Sequence, residues 1–240
     1  MRNLVIGSGE IGKALFEVLK VSHETFIRDI QPCNPEPGDV QVLNICFGYS
    51  DKFDEAVKSY QSRYNPRVTI IHSTVPVGTS RRLGAVHSPI HGRHNQEGGL
   101  VLGIKTFVKY VGGDDTSDLK AAEAARFLTD AGIKAQIVDN SETSELSKLK
   151  CLQYYGLAFV HMKETERECA ELGANFEQVY SGWNRLYNLG YREQGMEKFI
   201  RPILEPMPGP QGGHCVRQAG CALQDCPTSR FILERNETYG

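Results

Sequence analysis

A short apolar strand, Arg2–Ile6, runs directly into Gly7-Ser8-Gly9-Glu10-Ile11-Gly12. Ile11, Leu15, Val18 and Leu19 then recur at helical spacing. A strand, a glycine turn and a helix in that order leave few folds open. The glycines permit a tight turn, and the helix that follows turns its free N–H groups and positive dipole end toward an anion. A second strand, Glu24–Arg28, ends at Asp29, 22 residues after Gly7. A carboxylate at that place can accept from ribose hydroxyls and repels a 2′-phosphate, so the pattern points to NAD. Arg28 beside it keeps NADP open. Gly7, Gly9, Glu10, Ile11, Gly12 and Asp29 are therefore the candidate cofactor residues. Gly48 and Thr74, just past the third and fourth strands, join them.

The alternation continues. Strands are expected at Val40–Cys46, Val68–His72, Ala85–His87, Phe107–Val111 and Ala135–Val138. Helices are expected at Asp51–Tyr64, stopped by Asn65-Pro66, and at Thr116–Ala131, stopped by Gly132. The stretch from Gln31 to Gly38 holds three prolines and reads as loop. Such alternation predicts an α/β fold with a doubly wound parallel sheet. It ends near Asn140, and from Ser141 onward only helical patterns appear. One long helix is expected over Ser141–Leu172, with shorter ones over Phe176–Asn188 and Gln194–Leu204. Within the long helix, Leu152–Val160 is apolar or aromatic on nearly every face, which predicts burial all round, between domains or subunits. The expectation is two domains, 1–140 and 141–240, with the helical one joining a homodimer.

Bulk composition excludes some partners. A formal net charge of −2 offers no basic surface for nucleic acid or anionic lipid. No apolar run approaches the roughly 20 residues of a membrane-spanning helix. The N-terminus reads as strand and turn rather than as a leader, so a cytoplasmic protein is expected. Seven scattered cysteines (33, 46, 151, 169, 215, 221, 226) suggest reduced thiols, with Cys46 and Cys169 as core residues. His87, His91 and His94 do not share a helix, because Pro89 and Gly92 intervene. No Cys-x-x-Cys pair occurs either, so no metal site is expected.

Two further motifs follow the glycine turn. Ser73-Thr74-Val75-Pro76-Val77-Gly78-Thr79 stands at the carboxyl end of a buried strand, where such folds bind ligands. Pro208-Gly209-Pro210-Gln211-Gly212-Gly213-His214-Cys215 offers a thiol in tight backbone, whose donors could face a developing oxyanion. His214 could lower the pKa of that thiol.

Together with Glu145-Leu146-Ser147-Lys148-Leu149 and Ala170-Glu171-Leu172-Gly173, these motifs resemble the nucleotide-sugar 6-dehydrogenases. That group acts on UDP-glucose, GDP-mannose or UDP-N-acetylmannosamine. The resemblance runs from residue 1 to about 226. It implies a Rossmann-type domain holding NAD, then a helical dimerisation domain. It also implies Thr74 on the nicotinamide side, Lys148 as the oxyanion lysine, and Cys215 as a nucleophile passing through a thiohemiacetal and a thioester.

The departures are specific. Ile90 stands where the family has glutamate, Leu152 where it has asparagine, and Ala219 where it has aspartate. The family's third domain has no counterpart, which implies a truncated form and a smaller or different substrate. Two functions follow as expectations. One is an NAD-dependent oxidoreductase acting on a small-molecule alcohol or sugar-like substrate. The other is a catalytically degenerate NAD-binding protein with a binding or regulatory role. His91 and His94, on the loop that lost its glutamate, could replace a base or contact an anionic substrate, as could His214.

Overall fold

The computed structural model describes residues 1–30, 36–92, 99–207, 209 and 212–239, without the side chain of residue 214. Cys33, His94, Pro208, Pro210, Gln211 and the His214 side chain, all named above, lie outside the described residues. The chain divides into two compact units, Met1–Lys148 and Leu149–Gly240.

In the first unit, seven strands form one sheet: β1 (Arg2–Ile6), β2 (Glu24–Arg28), β3 (Val42–Ile45), β4 (Val68–Ile71), β5 (Val86–His87), β6 (Lys109–Gly112) and β7 (Ala135–Val138). Their spatial order is β2-β1-β3-β4-β5-β6-β7. The order reverses between β1 and β3, and a doubly wound sheet binds its ligand at such a reversal. Helices α1 (Glu10–Leu19) and α2 (Phe53–Tyr64) stand where they were expected, and α3 (Thr79–Arg82) and α4 (Gly99–Thr106) were not foreseen. They are followed by α5 (Leu119–Asp130).

The sheet is buried on both faces. Val5, Val42, Val68, Ile70 and Val111 pack with α1, α4 and α5. Leu4, Ile6, Leu43, Ile45 and Ile71 pack on the other side with Phe53 and Val57 of α2. Continuous aliphatic strands of this kind suit a parallel sheet covered by helices. One expectation fails: β5 pairs antiparallel with β6 through His87 and Gly112, so the sheet is mixed. The apolar pattern of a single strand carries no direction. Helix α4 was also missed, because GLVLGIKT is apolar with two glycines and shows no amphipathic period. Gly103 earns its place there, since a Cβ would stand 2.4 Å from the His91 carbonyl oxygen.

Helix α6, Ser141–Leu172, has the expected bounds and runs from the first unit into the second. In the second unit a wide π-turn, Glu177–Gly182, leads into α7 (Trp183–Glu193). The helix expected over Gln194–Leu204 is absent; one 3-10 turn, Glu197–Phe199, stands there. Pro202 and Pro206 deny helical geometry to the residues before them. Two unforeseen helices follow, α8 (Gly213–Ala222) and α9 (Pro227–Glu237). Val160, Val216 and Ile232 form their small core, with Phe159 and Tyr239 packed against it. Glycine permits the approach: a Cβ on Gly156 would be 2.9 Å from Ile232, and one on Gly212 would be 2.3 Å from Val216. Of the apolar stretch Leu152–Val160, Tyr154, Tyr155 and Leu157 are exposed in the single chain. No helix among the described residues is long and apolar enough to cross a membrane.

Candidate cofactor and active site

The turn after β1 is built by steric exclusion. Gly7 has φ +102°, and a Cβ on it would press within 3.0 Å of the Cys46–Phe47 backbone. Its N–H donates to the Arg28 carbonyl at 2.8 Å. A Cβ on Gly12 would lie 1.8 Å from the Gly7 carbonyl oxygen, so only glycine lets α1 start this close to the turn. Gly9, the N-cap, is open: nothing lies within 4 Å of where its Cβ would be, and it provides no side-chain cap. The start of α1, whose N-cap gives no side-chain hydrogen bond, has the form of an anion cradle. Glu10 is exposed in this first turn.

Asp29 closes one side of the cradle. Its Oδ2 accepts from the Ser8 N–H (2.7 Å) and the Ser8 hydroxyl (2.6 Å), and its Oδ1 accepts from the Ile30 N–H (2.9 Å). Those hydrogen bonds, the Ser8 hydroxyl first, hold its carboxyl below the usual range. Oδ2 is thus filled by Ser8, and Oδ1 keeps a further lone pair for a ribose hydroxyl. Arg28, in contrast, is buried and donates to Tyr64 (2.6 Å) and Glu36 (3.2 Å). Both groups hold the Arg28 guanidinium. A glycine-shaped turn, an uncapped helix start and an exposed carboxylate past β2 together fit a dinucleotide.

The turns after β3 and β4 stand at the same carboxyl edge of the sheet. Gly48 is exposed and Thr74 half-buried. The Ser73 hydroxyl donates to the Phe47 carbonyl at 2.6 Å, tying the two turns together. Glu145 then anchors the second turn from α6. Its carboxylate is fully buried and accepts the Gly78 N–H at 2.6 Å and the Ser80 N–H at 2.8 Å, capping the short helix α3. Burial raises its pKa against the pull of those bonds. Sequence reasoning found Glu145 only as part of a motif, and nothing in the spacing told which amides it would meet.

Lys148 is three residues further along α6. Its Nζ donates to the Ile90 carbonyl at 2.8 Å. Pro89, His91, Tyr110, Gln136, Ser147 and Lys148 line a pocket of about 390 Å³ here. His91 does not titrate near neutral pH as expected. Burial, with help from Lys148 and Lys109, lowers it to about 4, so it is a neutral imidazole at pH 7 and holds no anion by charge. Ile90, at the lost glutamate position, is buried in the core rather than facing this pocket.

Behind the pocket the sheet interior is polar, which the sequence did not foretell. His72 has Nδ1 2.8 Å from the Ser88 carbonyl and Nε2 3.0 Å from the Asn44 side-chain amide. Asn44 reaches Asn3, and Asn3 reaches Thr25. His87 takes the Ser144 hydroxyl on Nδ1 (2.8 Å) and faces the Ser73 carbonyl through Nε2 (3.2 Å). Burial lowers His87 to about 3 and His72 well below its ordinary value, so both are neutral. In the sequence these are polar residues set in or at the ends of apolar strands: Asn3, Asn44, His72, His87 and Lys109.

In the second unit, Cys215 is the third residue of α8, half-buried, behind Gly212 and Gly213 at φ +78° and +56°. The tight backbone expected there is the start of a helix. No disulfide forms among the described cysteines. Cys46 and Cys169 are buried as expected, and burial pushes the Cys46 thiol up to about 12.

No family model matches the chain. No curated protein matches it in sequence. Solved structures do match in fold. A UDP-D-ManNAc dehydrogenase from Pyrococcus horikoshii superposes with a TM-score of 0.75 at 16% identity, over 100% of this chain and 69% of that one. A UDP-glucose dehydrogenase from Pyrobaculum islandicum gives 0.71 at 15%, over 99% and 68%. A Mycobacterium tuberculosis 3-hydroxyisobutyrate dehydrogenase, solved with L-serine, gives 0.65 at 13%, over 100% and 94%. The chain thus has a Rossmann-type dehydrogenase fold followed by a helical region, in common with the UDP-sugar dehydrogenases.

Proposed function

We propose that this chain is an NAD-dependent dehydrogenase acting on a CH–OH group of a small substrate. The observation that carries the reading is the uncapped start of α1, held against Gly7 by Gly12 and flanked by Asp29. The α1 amides oppose the pyrophosphate charge, and Asp29 accepts from the adenosine ribose. Because Arg28 is engaged with Tyr64 and Glu36, it is not directed to a 2′-phosphate beside Asp29, and NAD is favoured over NADP.

When bound, NAD supplies the hydride acceptor. Thr74, on the β4 turn braced by Ser73 and Glu145, flanks the nicotinamide side. Lys148 exchanges the Ile90 carbonyl for the substrate oxygen and stabilises negative charge developing on it. His91 is neutral and can only take up a proton. The 390 Å³ pocket beside Lys148, and a fold match over 94% of a 3-hydroxyisobutyrate dehydrogenase, support a small hydroxy acid as substrate.

A second reading continues the oxidation through Cys215. Its thiolate adds to the aldehyde carbon, a second hydride leaves, and water releases the acid from the thioester. The place of Cys215, half-buried in the first turn of α8, supports it. The experiment is calorimetry with NAD, then a turnover screen over short hydroxy acids, aldehydes and UDP-sugars. Lys148→Ala should lower kcat by at least about 100-fold with NAD affinity within twofold. One NADH per substrate, unchanged by Cys215→Ala, selects the first reading; two, lost in that variant, select the second. Absence of NAD binding at millimolar concentration would sink both.

A further inference from the structure

Lys109 is 1% exposed, inside the sheet, on the face covered by α1, α4 and α5. Its Nζ donates to the Ser88 carbonyl at 2.8 Å and to the Pro89 carbonyl at 2.9 Å, with His72 Nδ1 at 3.4 Å. The titratable groups that interact with it are Cys46 after β3, His72 after β4, His87 on β5, His91 beyond it and Lys148 on α6. None is a carboxylate, and no ion pair to Lys109 exists among the described residues. Burying an ammonium without a counter-ion is costly, and an apolar side chain of the same length would fill the space without that cost. What the ammonium does is satisfy two successive carbonyls where the chain has left β5 and has no ladder partner for them. The next carbonyl, Ile90, is taken by Lys148. Lysines from two different elements thus hold three consecutive carbonyls of the segment that carries His91.

We propose that Lys109 is a positioning residue of the active site: from inside the sheet it sets the path of Ser88–Ile90, and so the place of Lys148 and His91 at the pocket. This rests on the role given to Lys148 above. The hold does not depend on charge, because a neutral amine still has two N–H groups for the two carbonyls. Global stability does depend on it. Burial lowers Lys109 to about 7, below its ordinary 10.5, so the unfolded state binds more protons between those values and stability rises with pH there. The buried histidines titrate below this range, and Cys46, pushed up to about 12, acts above pH 9. Cys226, lowered to about 7 from 9.0, adds a rise of its own over this range, so the slope between pH 7 and 8.5 reports Lys109 when read on a Cys226→Ser background.

The test is Lys109→Met, with Lys109→Gln in its place should the first fail to fold. Hydrogen exchange over residues 88–92 should rise at least tenfold. Acetylation of Lys148 by acetic anhydride, followed by mass spectrometry, should change severalfold. NAD affinity at the Gly7–Gly12 turn should stay within twofold, and the rise in stability from pH 7 to 8.5 should flatten. A folded variant whose 88–92 exchange and Lys148 reactivity match wild type overturns the proposal. The two readings separate cleanly. Full turnover in Lys148→Ala removes the functional reading, while unchanged exchange in the Lys109 variants, alongside a dead Lys148→Ala, removes only the positioning role.

Discussion

Cys226 is the thiol whose surroundings most favour the anion among those with a resolved shift. It caps α9, and its sulfur is lowered to about 7 from an ordinary 9.0, by the Ser229 N–H first and the Gln153 side chain next (3.4 Å). Half of it is thiolate at pH 7, so alkylation by iodoacetamide should reach half its limiting rate near pH 7, while Cys46 stays inert. Peptide mass spectrometry across pH 5 to 10 reads both; a half-point for Cys226 at 9 would refute the prediction. The consequence for the active site is practical. A low-pKa titration of the whole protein would not by itself identify Cys215, so any thiol assay must use Cys226→Ser as background. At this scale the sequence made some residues plain and hid others. Gly7, Gly12 and Asp29 were legible because glycine and carboxylate do local work a few residues from one another. Lys109 and Glu145 were not, because each meets backbone groups 20 and 67 residues away.

Among the elements, α3 depends most on a distant partner. It is four residues long, far below the length at which a helix supports itself, and its cap comes from α6. Glu145→Ala would leave the Gly78 and Ser80 amides without an acceptor, at about 1–3 kcal/mol each. Denaturant unfolding should therefore show a loss of about 2–5 kcal/mol, with Glu145→Gln losing about half as much, since one oxygen remains. A loss below about 0.5 kcal/mol in the alanine variant would show that water replaces the carboxylate. Helix α6 was readable end to end because an N-terminal serine, acidic first turn and Gly173 mark its limits. Helix α4 was not, because its glycine-rich apolar segment carries neither a period nor a stop signal, and α8 was not, because Gly212, Gly213 and Gly220 speak against a helix. Pro227 behind Cys226 is a helix start that was there to be read.

For the whole molecule, the helical unit leaves apolar side chains uncovered: Tyr154 (56% exposed), Tyr155 and Leu157 on α6, and Val179, Trp183 and Leu186 beyond it. Exposed large apolar groups in such numbers mark an association surface. We expect a homodimer through α6 at micromolar concentration by light scattering, and a monomer for Leu157→Asp with the far-UV circular dichroism unchanged. A monomeric wild type would refute this. The strand-and-helix alternation up to Asn140, the glycine turn and the long helix were determined by the sequence alone. They rest on steric limits and periodicities that operate within one or two turns of chain. Only the tertiary structure decided the direction of β6, the neutral state of His91, the engagement of Arg28 and the burial of Lys109. Strand direction depends on which edge is free, and charge state depends on what surrounds a group in space, and neither is written in the spacing of residues along the chain.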